Sequence, residues 1–506
     1  MNSMRLDNLL QDLPEAVIHG PKNPLVGALV YDSRRVVPQS AFFALVGVES
    51  DGHAYIKEAV AGGAAVIFVE RSVQAPKGVT LVEVPDTRLA LSLVAERFFG
   101  QPTSRIPVIG VTGTNGKTTV TYLVEALLQA AGYRPAVFGT VAYRFEGTQY
   151  QASHTTPETV DLLQRLSEFM GQGCNALVME VSSHALAQHR VAGIGFDVVA
   201  FTNLTPEHLD YHKDLEDYFS AKARLFCTAG NKVRKKVLNV DDPYGQRLAE
   251  EHPEAVTFGL DSDAQVSVVD PRLDMNGIHG RLQTPSGHAE FESRLLGRFN
   301  LENLLCAATI GVQLGLSAES IASALKNASA VPGRLEQVNN TMGALILVDY
   351  AHTGDALDKA LEALRALKPT RLLTLFGCGG DRDRSKRPVM GEAAARYSDQ
   401  VIVTSDNPRT EDPQAILQDI LPGLTPHLPE LTRAQMKEGG GRGFTVIPDR
   451  REALTFAVSL LREGDALLAA GKGHEDYQVV GREKQHFDDR EELKKAVERR
   501  EETLCV

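Results

Sequence analysis

A short apolar run, a glycine-rich loop and an amphipathic helix follow one another in VIGVTGTNGKTTVTYLVEALLQAAG, which begins at Val108. The apolar run predicts a strand. From Val120 onward apolar residues recur at helical spacing, until Gly132 can end the helix. Between them, GTNGKTT lets backbone N–H groups converge on phosphate oxygens at the helix N-terminus, its lysine adds a charge, and Thr118 or Thr119 offers Mg²⁺ a hydroxyl. The sequence therefore predicts a phosphate-binding loop in an α/β fold.

Two departures from familiar patterns bear on the kind of phosphate loop and on the nucleotide that it binds. The strict GxxxxGK[ST] pattern needs glycine at position 111, where this chain has Val111, and this indicates a distinct branch of the P-loop group. Guanine-specific relatives carry an NKxD element after a later strand. The nearest run here, NKVR beginning at Asn231, lacks the aspartate. ATP is therefore the predicted nucleotide.

Runs rich in β-branched residues alternate with helix-period segments along most of the 506 residues. This alternation is the pattern of α/β folds with largely parallel sheets, and the length exceeds what one hydrophobic core usually supports. Gly and Pro interrupt it twice, in FGQPTSRIP and in AVPGRLE. We therefore divide the chain into residues 1–102, 103–332 and 333–506.

Charge and cysteine usage exclude several classes of protein. The net charge of −12 disfavours a general nucleic-acid or membrane-surface binder, which needs a basic field. The five cysteines are scattered and form no CxxC pair, so neither a disulfide framework nor a cysteine zinc site is indicated. With no signal-like N-terminus and no run of about 18 apolar residues, we expect a cytoplasmic chain without membrane insertion.

Six apolar runs in the second and third segments stop in polar residues: ALVMEVSSHALAQHR, VVAFTNLTPEHLDYH, LILVDYAHTGDAL, LLTLFGCGGDRDRSKRP, VIVTSDNPRTEDP and ALLAAGKGHEDYQ. Ligands of doubly wound sheets bind beyond the carboxyl ends of strands. The six runs therefore predict two sheets that face a common site.

Three side chains near these strand ends are candidates for metal binding. Glu180 ends its strand, and His208 follows the next one, in EHLDYH. A carboxylate beside phosphates suits Mg²⁺, although histidine is an unusual ligand for so hard an ion. Lys222 lies in an otherwise apolar helical face, and periodicity alone leaves open whether it is a surface lysine.

Together, the runs GTNGKTT, EVSSH, NLTPEHLDYH, FSAKARLF, GRFNLENLL, PGRLE and DYAHTGDAL resemble the Mur ligases, the ATP-dependent amide-forming enzymes of peptidoglycan precursor synthesis. The match covers nearly the whole chain. The resemblance implies an α/β fold of three domains: a smaller N-terminal α/β domain for the UDP-substrate, a central P-loop-type domain with a doubly wound, mostly parallel sheet for ATP, and a C-terminal Rossmann-like α/β domain for the amino acid. It also implies a monomer that acts on small molecules.

The resemblance assigns residues to the nucleotide and its metal. The ATP phosphates fall to Gly113, Thr114, Asn115, Gly116, Lys117, Thr118 and Thr119. Asn300 and Asn303 would lie near adenine, Arg334 near phosphate, and Asp349 and His352 near the ribose.

For two Mg²⁺ ions, the resemblance implies the ligands Thr118, Glu180, His208 and Lys222, the last as an N-carboxylysine (carbamate). That modification turns a cation into an anionic ligand. Lys117, Glu180, His208 and Lys222 are then the expected catalytic residues.

The UDP-linked substrate is likewise assigned by resemblance. Tyr31 and Ser33 would touch the uridine end, with Val48, Glu49 and Ser50 in the neighbourhood. The muramoyl-dipeptide would be bound by His154, Thr155, Thr156, Ser182, Gln188 and Arg190. Relatives often have Asn at the position of His154 and a polar residue at that of Val48.

The run DNPR (Asp406, Asn407, Pro408 and Arg409) matches the recognition motif of the diaminopimelate-adding members of the family. Diaminopimelate differs from lysine by a second carboxylate, which a guanidinium can hold in bidentate fashion. Arg382, Gly471 and Glu475 match other contacts to this amino acid, and Glu475 can pair with its distal ammonium.

The activity implied is formation of an acyl phosphate followed by its aminolysis. Three alternatives stay open at this point. A lysine-adding or folylpolyglutamate-type ligase would share the phosphate loop and the carbamate. A nucleotide-dependent regulator or motor would leave DNPR unexplained. A silent UDP-sugar-binding protein would not need Lys117, Glu180, His208 and Lys222.

Overall fold

Two compact units make up the computed structural model, which describes residues 3–504 apart from 22, 48–49, 75–76, 153, 210, 228–232, 262, 329–330 and 439–440. The first unit comprises Met1–Val269, Leu282–Ala289 and Glu302–Asn327; the second comprises Asp270–Arg281, Glu290–Leu301 and Ala328–Val506. The division of the sequence at residues 102 and 332 stays a prediction.

An eight-stranded sheet forms the centre of the first unit. Its strands lie in the order Thr148–Gln151, Ala142–Phe145, Pro135–Phe138, Ala176–Glu180, Val108–Thr112, Val198–Phe201, Lys235–Asn239 and Val256–Phe258. From Pro135–Phe138 onward all neighbours are parallel. Four of these parallel strands are buried throughout, as expected where both faces of a sheet are covered.

The predicted strand and helix around the phosphate loop are confirmed. The strand is Val108–Thr112, and the helix is Lys117–Ala130, which begins earlier than the predicted Val120. Gly132 follows the helix with φ of +83°. Because this strand lies between Ala176–Glu180 and Val198–Phe201, the residues that follow all three strands meet at one edge of the sheet.

A second sheet of the first unit has five strands, in the order Val17–His19, Thr80–Glu83, Val66–Val69, Ser40–Phe43 and Ala28–Val30. All pairs are parallel except the one made by Val17–His19. Phe43 and Phe68 stack across it with ring centroids 4.1 Å apart. Met4–Arg5 and Leu25–Val26 form a separate antiparallel pair.

The helices of the first unit besides Lys117–Ala130 are Leu6–Leu9, Ile56–Ala61, Thr87–Phe98, Thr159–Gly171, Ser183–Ala187, Leu215–Ala223, Pro243–Glu251 and Ala318–Lys326. Several begin at a side-chain cap: Asp86 accepts the Leu89 N–H, and Ser182 accepts the Ala185 N–H. These caps satisfy N–H groups that a helix leaves without partners at its start.

The second unit is built on a six-stranded sheet in the order Glu336–Gln337, Leu345–Asp349, Ala466–Ala470, Leu372–Phe376, Gln400–Val403 and Gly443–Val446. Only the first pair is antiparallel. Its helices are Gly354–Ala366, Lys386–Tyr397, Pro413–Ile420, Arg433–Lys437, Arg450–Leu460 and Asp489–Leu504, and a hairpin pairs Tyr477–Val480 with Glu483–His486. The loops after the five parallel strands therefore open at one edge.

Ser267–Asp274, Gly277–Thr284 and Gly287–Ser293 form a three-stranded sheet, and Arg298–Gln313 forms a long helix. Short 3₁₀ turns occur at Ser33–Arg35, Gly52–Tyr55, Pro102–Ser104 and Leu421–Gly423. Within the described residues, no helix combines the length and the apolar character that crossing a membrane requires.

A fully buried ion pair joins two helices of the second unit. The Arg450 guanidinium binds both carboxylate oxygens of Asp489, at 2.8 and 2.6 Å, and neither side chain is exposed. It also donates to the carbonyl oxygens of Ser405 and Ala470, at 3.3 and 3.0 Å. These two carbonyls directly precede the runs DNPR and GKGHE. One guanidinium therefore binds the backbone at the start of both loops.

We expect Asp489→Asn to lower the free energy of unfolding of the second unit by about 3 kcal/mol, because it leaves the Arg450 charge buried without its partner. The measurement is urea unfolding followed by circular dichroism, since the chain has no tryptophan. Glu498→Gln, at an exposed position of the same helix, is the control and should change stability by less than about 0.5 kcal/mol. Equal stability of the two variants would contradict this role of the pair.

Candidate active site

The phosphate loop, residues 113–119, follows a course that only glycine permits at two positions. Gly113 has φ of +144° and Gly116 of +86°, in the region that L side chains rarely adopt. A Cβ atom on Gly113 would lie 1.9 Å from the Thr202 hydroxyl oxygen, and one on Gly116 would lie 2.2 Å from the Asn303 side-chain oxygen. Neither glycine could therefore be replaced without moving the loop or its neighbours.

Thr202 and Asn203, which follow the strand Val198–Phe201, bind the phosphate loop from the side. Asn203 accepts the Thr114 N–H at its carbonyl oxygen (2.8 Å) and the Asn115 N–H at its side chain (2.9 Å). The Thr202 hydroxyl donates to the Asn115 carbonyl at 2.6 Å. The sequence assignments missed both residues, although they belong to a polar strand end already singled out, FTNLTPEH.

Two lysines donate to the same backbone oxygen in this loop. Lys117 Nζ lies 2.9 Å from the Gly113 carbonyl and 2.7 Å from that of Thr114, and Lys222 Nζ lies 2.7 Å from the Gly113 carbonyl. Lys222 is 1% exposed, so the alternative of a surface lysine is wrong. Burial, together with the charge of Lys117, holds the pKa of Lys222 well below its ordinary value.

Glu180 lies beside the first turn of the helix that begins at Lys117. Its carboxylate accepts the Thr118 hydroxyl at 2.9 Å, and the N–H and hydroxyl of Thr140 at 2.9 and 3.0 Å. These donors are neutral hydroxyl and amide groups, so carboxylate and hydroxyl oxygens lie side by side here. Such oxygen ligands fit Mg²⁺, which binds to one or two carboxylates and completes its shell with phosphate and water. Thr119 is half-buried in the same helical turn.

His208 lies in a cluster of aromatic and imidazole rings. Its backbone has φ of +58°, and its ring centroid is 4.9 Å from that of His184 and 6.1 Å from that of Tyr218. Among the described residues, no three His, Cys, Asp or Glu side chains stand close enough to hold a metal ion together. Of the predicted metal ligands, Thr118 and Glu180 contact each other directly, through their hydrogen bond.

The residues predicted to bind the muramoyl-dipeptide lie together. The Thr156 hydroxyl accepts the Ser182 N–H at 3.0 Å and donates to the Glu180 carbonyl at 2.9 Å. Arg190 donates to the Thr156 carbonyl at 2.9 Å and to the Gln188 side chain at 2.7 Å. In addition, the hydroxyls of Thr155 and Thr140 are 3.1 Å apart, and His154 contacts Tyr143 through its backbone.

Tyr31 lines a cavity of about 510 Å³ in the first unit, together with Arg35, Tyr143, Tyr150, Gln151, His154, Glu158, Asp161 and Arg165. Its hydroxyl donates to Asp161, and both burial and this carboxylate raise the pKa of Tyr31. Ser33 donates to Glu58 at 2.8 Å, and Ser50 is exposed. The structure therefore brings Tyr31 and His154 to one cavity, while Val48 and Glu49 lie outside the described residues.

Two of the predicted nucleotide residues, Arg334 and His352, contact Tyr350 in the second unit. The Arg334 guanidinium lies 5.3 Å from the Tyr350 ring centroid, and His352 Nδ1 is 2.8 Å from the Tyr350 carbonyl oxygen. Asp349 accepts the Leu335 N–H at 2.7 Å, and burial raises its pKa. Asn300 and Asn303 are both buried in the helix Arg298–Gln313.

A cavity of about 370 Å³ opens at the strand ends of the second unit. It is lined by Tyr350, His352, Gly377, Cys378, Gly379, Arg382, Asp383, Lys386, Arg387, Met390, Asp406, Asn407, Arg409, Gly471, Glu475 and Tyr477. All the predicted amino-acid contacts except Pro408 line it. Guanidinium groups and carboxylates therefore share one cavity, which suits a ligand that carries both charges.

Arg409 reaches this cavity from a constrained backbone. Its φ is +52°, its N–H donates to the Val479 carbonyl at 3.0 Å, and its carbonyl accepts the Gly481 N–H at 2.7 Å. Its guanidinium donates to the Gly380 carbonyl at 2.7 Å. The arginine is thus held at both ends, by the hairpin that begins at Tyr477 and by the loop that carries Arg382.

Two residues near this cavity, Gln478 and Lys472, were not assigned from the sequence. Asn407 donates to the Glu475 side chain at 2.9 Å, and Gln478 donates to the Asp406 carbonyl at 2.6 Å. Behind them, Lys472 is fully buried and 3.3 Å from the Asn407 side-chain oxygen. Its place in GKGHE, between Gly471 and Glu475, was the signal that could have found it.

Comparison with known proteins agrees with this geometry. Three family models match, described as "Mur ligase family, catalytic domain" over residues 26–99, "Mur ligase middle domain" over residues 111–311 and "Mur ligase, glutamate ligase domain" over residues 333–473. A relative from Geobacter metallireducens, named UDP-N-acetylmuramoyl-L-alanyl-D-glutamate--2,6-diaminopimelate ligase, is 50% identical over 97% of this chain and 98% of its own. The chain belongs to the Mur ligase family.

Further relatives cover this Mur ligase equally well. One from Geobacillus kaustophilus, with the same name, is 43% identical over 98% of this chain and 100% of its own. A solved structure of a protein with that name superposes with a TM-score of 0.73 and 32% identity, and the match covers 94% of this chain and 95% of the other. The predicted fold class, α/β with a central, mostly parallel sheet, is confirmed.

We expect Gly113→Ala to weaken ATP binding at least about tenfold, because the added Cβ would meet Thr202 in a strained conformation worth about 1–3 kcal/mol. Calorimetric titration with ATP and Mg²⁺ measures this. Gly132→Ala is the matched control, since Gly132 also has positive φ but has no atom within 4 Å of the added Cβ. Equal affinities of the two variants would show that the course of the loop does not matter.

Proposed function

We propose that this Mur ligase adds meso-2,6-diaminopimelate to UDP-N-acetylmuramoyl-L-alanyl-D-glutamate, with ATP as the energy source, in peptidoglycan precursor synthesis. The observation that carries the proposal is the cavity that holds Arg382, Arg409 and Glu475 together. Relatives that are 40–50% identical over nearly the whole chain bear the name of this activity. The monomeric state and the cytoplasmic location stay predictions.

Selection of diaminopimelate over lysine follows from charge. The second carboxylate of diaminopimelate pairs with the guanidinium groups of Arg382 and Arg409, while Glu475 receives an ammonium. Lysine lacks that carboxylate, so it would leave these two guanidinium groups without the anion that pairs with them. Such a site discriminates strongly, because the wrong substrate leaves polar groups unpaired.

The ATP phosphates bind at the phosphate loop, where the N–H groups of the helix N-terminus and Lys117 supply positive charge. Thr118 and Glu180, with His208 and Lys222, would hold Mg²⁺, and the ion would supply positive charge beside the transferring phosphoryl group. Asn300, Asn303, Arg334, Asp349 and His352 bind the rest of the nucleotide. Their burial or aromatic contacts support this role.

The reaction proceeds in two steps. The D-glutamate carboxylate attacks the γ-phosphorus, ADP leaves, and an acyl phosphate forms, with Lys117 stabilising the charge of the transferred group. The diaminopimelate amine then attacks the acyl carbon, phosphate leaves, and the amine gives up a proton. Thr155, Thr156, Ser182, Gln188 and Arg190 keep the glutamate end of the substrate in place during both steps.

We further propose that Lys222 acts as an N-carboxylysine. Its side chain is buried, and its ammonium form is disfavoured there, so a neutral amine is available to combine with carbon dioxide. The nitrogen bonds to the carbon of carbon dioxide and loses a proton, so the product is a carbamate anion next to the phosphate loop. It would therefore attract Mg²⁺ where an ammonium would repel it.

Arg409→Ala should raise the KM for diaminopimelate at least about 30-fold, the equivalent of about 2 kcal/mol, and leave the KM for ATP nearly unchanged. Release of ADP, assayed with the UDP-linked dipeptide and either diaminopimelate or lysine, measures both constants and the choice of substrate. Arg384→Ala is the matched control, because Arg384 is on the neighbouring loop, largely exposed and paired with Glu411. Equal losses for ATP and diaminopimelate would remove Arg409 from substrate recognition.

Lys222→Ala should lower turnover about 100-fold or more, because a ligand of the metal is lost. Added short carboxylic acids should restore part of the activity, since they supply the missing carboxylate. Lys213→Ala, at an exposed lysine that precedes the same helix, is the control and should keep full turnover. Undiminished turnover of Lys222→Ala, or a loss that no carboxylic acid restores, would count against the carbamate.

A further inference from the structure

Lys472 places a positive charge behind the amino-acid cavity rather than in it. Its side chain is 0% exposed and follows the strand Ala466–Ala470. Its ammonium lies 3.3 Å from the Asn407 side-chain oxygen and 3.6 Å from a carboxylate oxygen of both Asp406 and Glu475. All three of these partners line the cavity, whereas Lys472 does not. The lysine therefore touches the binding residues from the side away from the ligand.

The carboxylates next to Lys472 need a nearby cation. Asp406 is 6% exposed, and its Oδ1 is buried without a hydrogen-bond partner among the described residues. Glu475 Oε2 accepts the Asn407 amide at 2.9 Å, a neutral donor. Two carboxylates in one partly buried pocket repel each other unless a cation offsets their charges. Lys472 is placed between them to do so.

Neighbouring guanidinium groups are committed to other partners. Arg450 binds both oxygens of Asp489, and Arg409 donates to the Gly380 carbonyl. Asn407, by contrast, is held by two groups at once, since its side-chain oxygen also accepts the Val479 N–H at 2.9 Å. The side chain of Asn407 is thereby turned so that its amide donates to Glu475, which fixes the direction of that carboxylate.

We propose that Lys472 is a positioning residue for the amino-acid substrate: its buried side chain orders Asp406, Asn407 and Glu475, so that the two carboxylates are placed to receive an ammonium group of the substrate. The inference rests on the proposed function, because it deepens the account of the same cavity. Lys472 itself does not touch the substrate. It acts through three side chains that do.

The first test is Lys472→Met, which keeps the length of the side chain and removes its charge. The KM for diaminopimelate should rise about tenfold or more, while the KM values for ATP and the UDP-linked dipeptide stay within about twofold. Lys236→Met is the matched control: Lys236 is 8% exposed and paired with Glu254 at 2.6 Å in the first unit. It should lower stability without changing the KM for diaminopimelate.

The split between KM and kcat separates positioning from simple support of the fold. A smaller fraction of folded enzyme lowers the apparent kcat and leaves every KM unchanged, whereas displacement of Asp406, Asn407 and Glu475 raises the KM for diaminopimelate.

A double-mutant cycle gives the decisive comparison. If Lys472 acts through Glu475, Lys472→Met should raise the KM for diaminopimelate less in a Glu475→Gln background than in the unsubstituted enzyme. Additive effects on KM, an unchanged KM, or equal rises for ATP and diaminopimelate would overturn the proposal. Should Lys472→Met fail to fold, Lys472→Gln, which keeps hydrogen-bond donors, is measured in the same cycle.

The unsubstituted enzyme distinguishes the two proposals. If it forms no amide with diaminopimelate but does so with another amino acid, the proposed function fails. The double-mutant cycle is then measured on the KM of the amino acid that the enzyme uses. A smaller effect of Lys472→Met in the Glu475→Gln background supports the role of Lys472, and the three outcomes named above overturn it.

Discussion

The carbonyl oxygen of Gly113 accepts hydrogen bonds from two lysine side chains, those of Lys117 and Lys222. Positive charges on both nitrogens would repel each other, and burial together with the charge of Lys117 lowers the pKa of Lys222. The arrangement therefore favours an uncharged Lys222 beside a charged Lys117. It exists because the strand Val108–Thr112 ends between two other parallel strands, whose own ends carry Glu180 and Thr202 to the same edge. Without a glycine at position 113, neither the close approach to Thr202 nor this shared carbonyl would be possible.

The second unit uses the ends of parallel strands in a related way. The loops that follow Leu345–Asp349, Leu372–Phe376, Gln400–Val403 and Ala466–Ala470 all contribute to one cavity. The charged side chains that line the cavity, such as Arg382, Arg409 and Glu475, can pair with charged groups of a ligand. Charges behind it, on Arg450 and Lys472, bind the backbone and side chains of the same loops. One set of charged side chains is thus available to bind the ligand, and a second set holds the loops that carry the first.

Local motifs were predictable from the sequence, because their residues are neighbours along the chain. GTNGKTT needs only a strand before it and a helix after it, and DNPR carries its arginine within four positions of one loop. Residues that act across long separations were not predictable. Asn203 meets a loop that is nearly 90 positions away, and Lys472 meets Asn407 across 65 positions. The burial of Lys222 was also open, because the short helix Leu215–Ala223 does not reveal which face packs inward. The predicted role of Lys222 as a carbamate ligand came from the resemblance to a family. Helical spacing could not have predicted it.

Arg409 owes its position to backbone pairing outside the cavity. Its main chain pairs with Val479 and Gly481, which belong to the hairpin that starts at Tyr477 and whose second strand, Glu483–His486, is exposed. The position of this hairpin therefore sets where the backbone of Arg409 lies beside the cavity. The residues at the hairpin tip, Gly481 and Arg482, are not among those that line the cavity. A change in the length of the tip would therefore move Arg409 while the lining residues kept their identity, which makes the choice of amino acid open to engineering from outside the cavity.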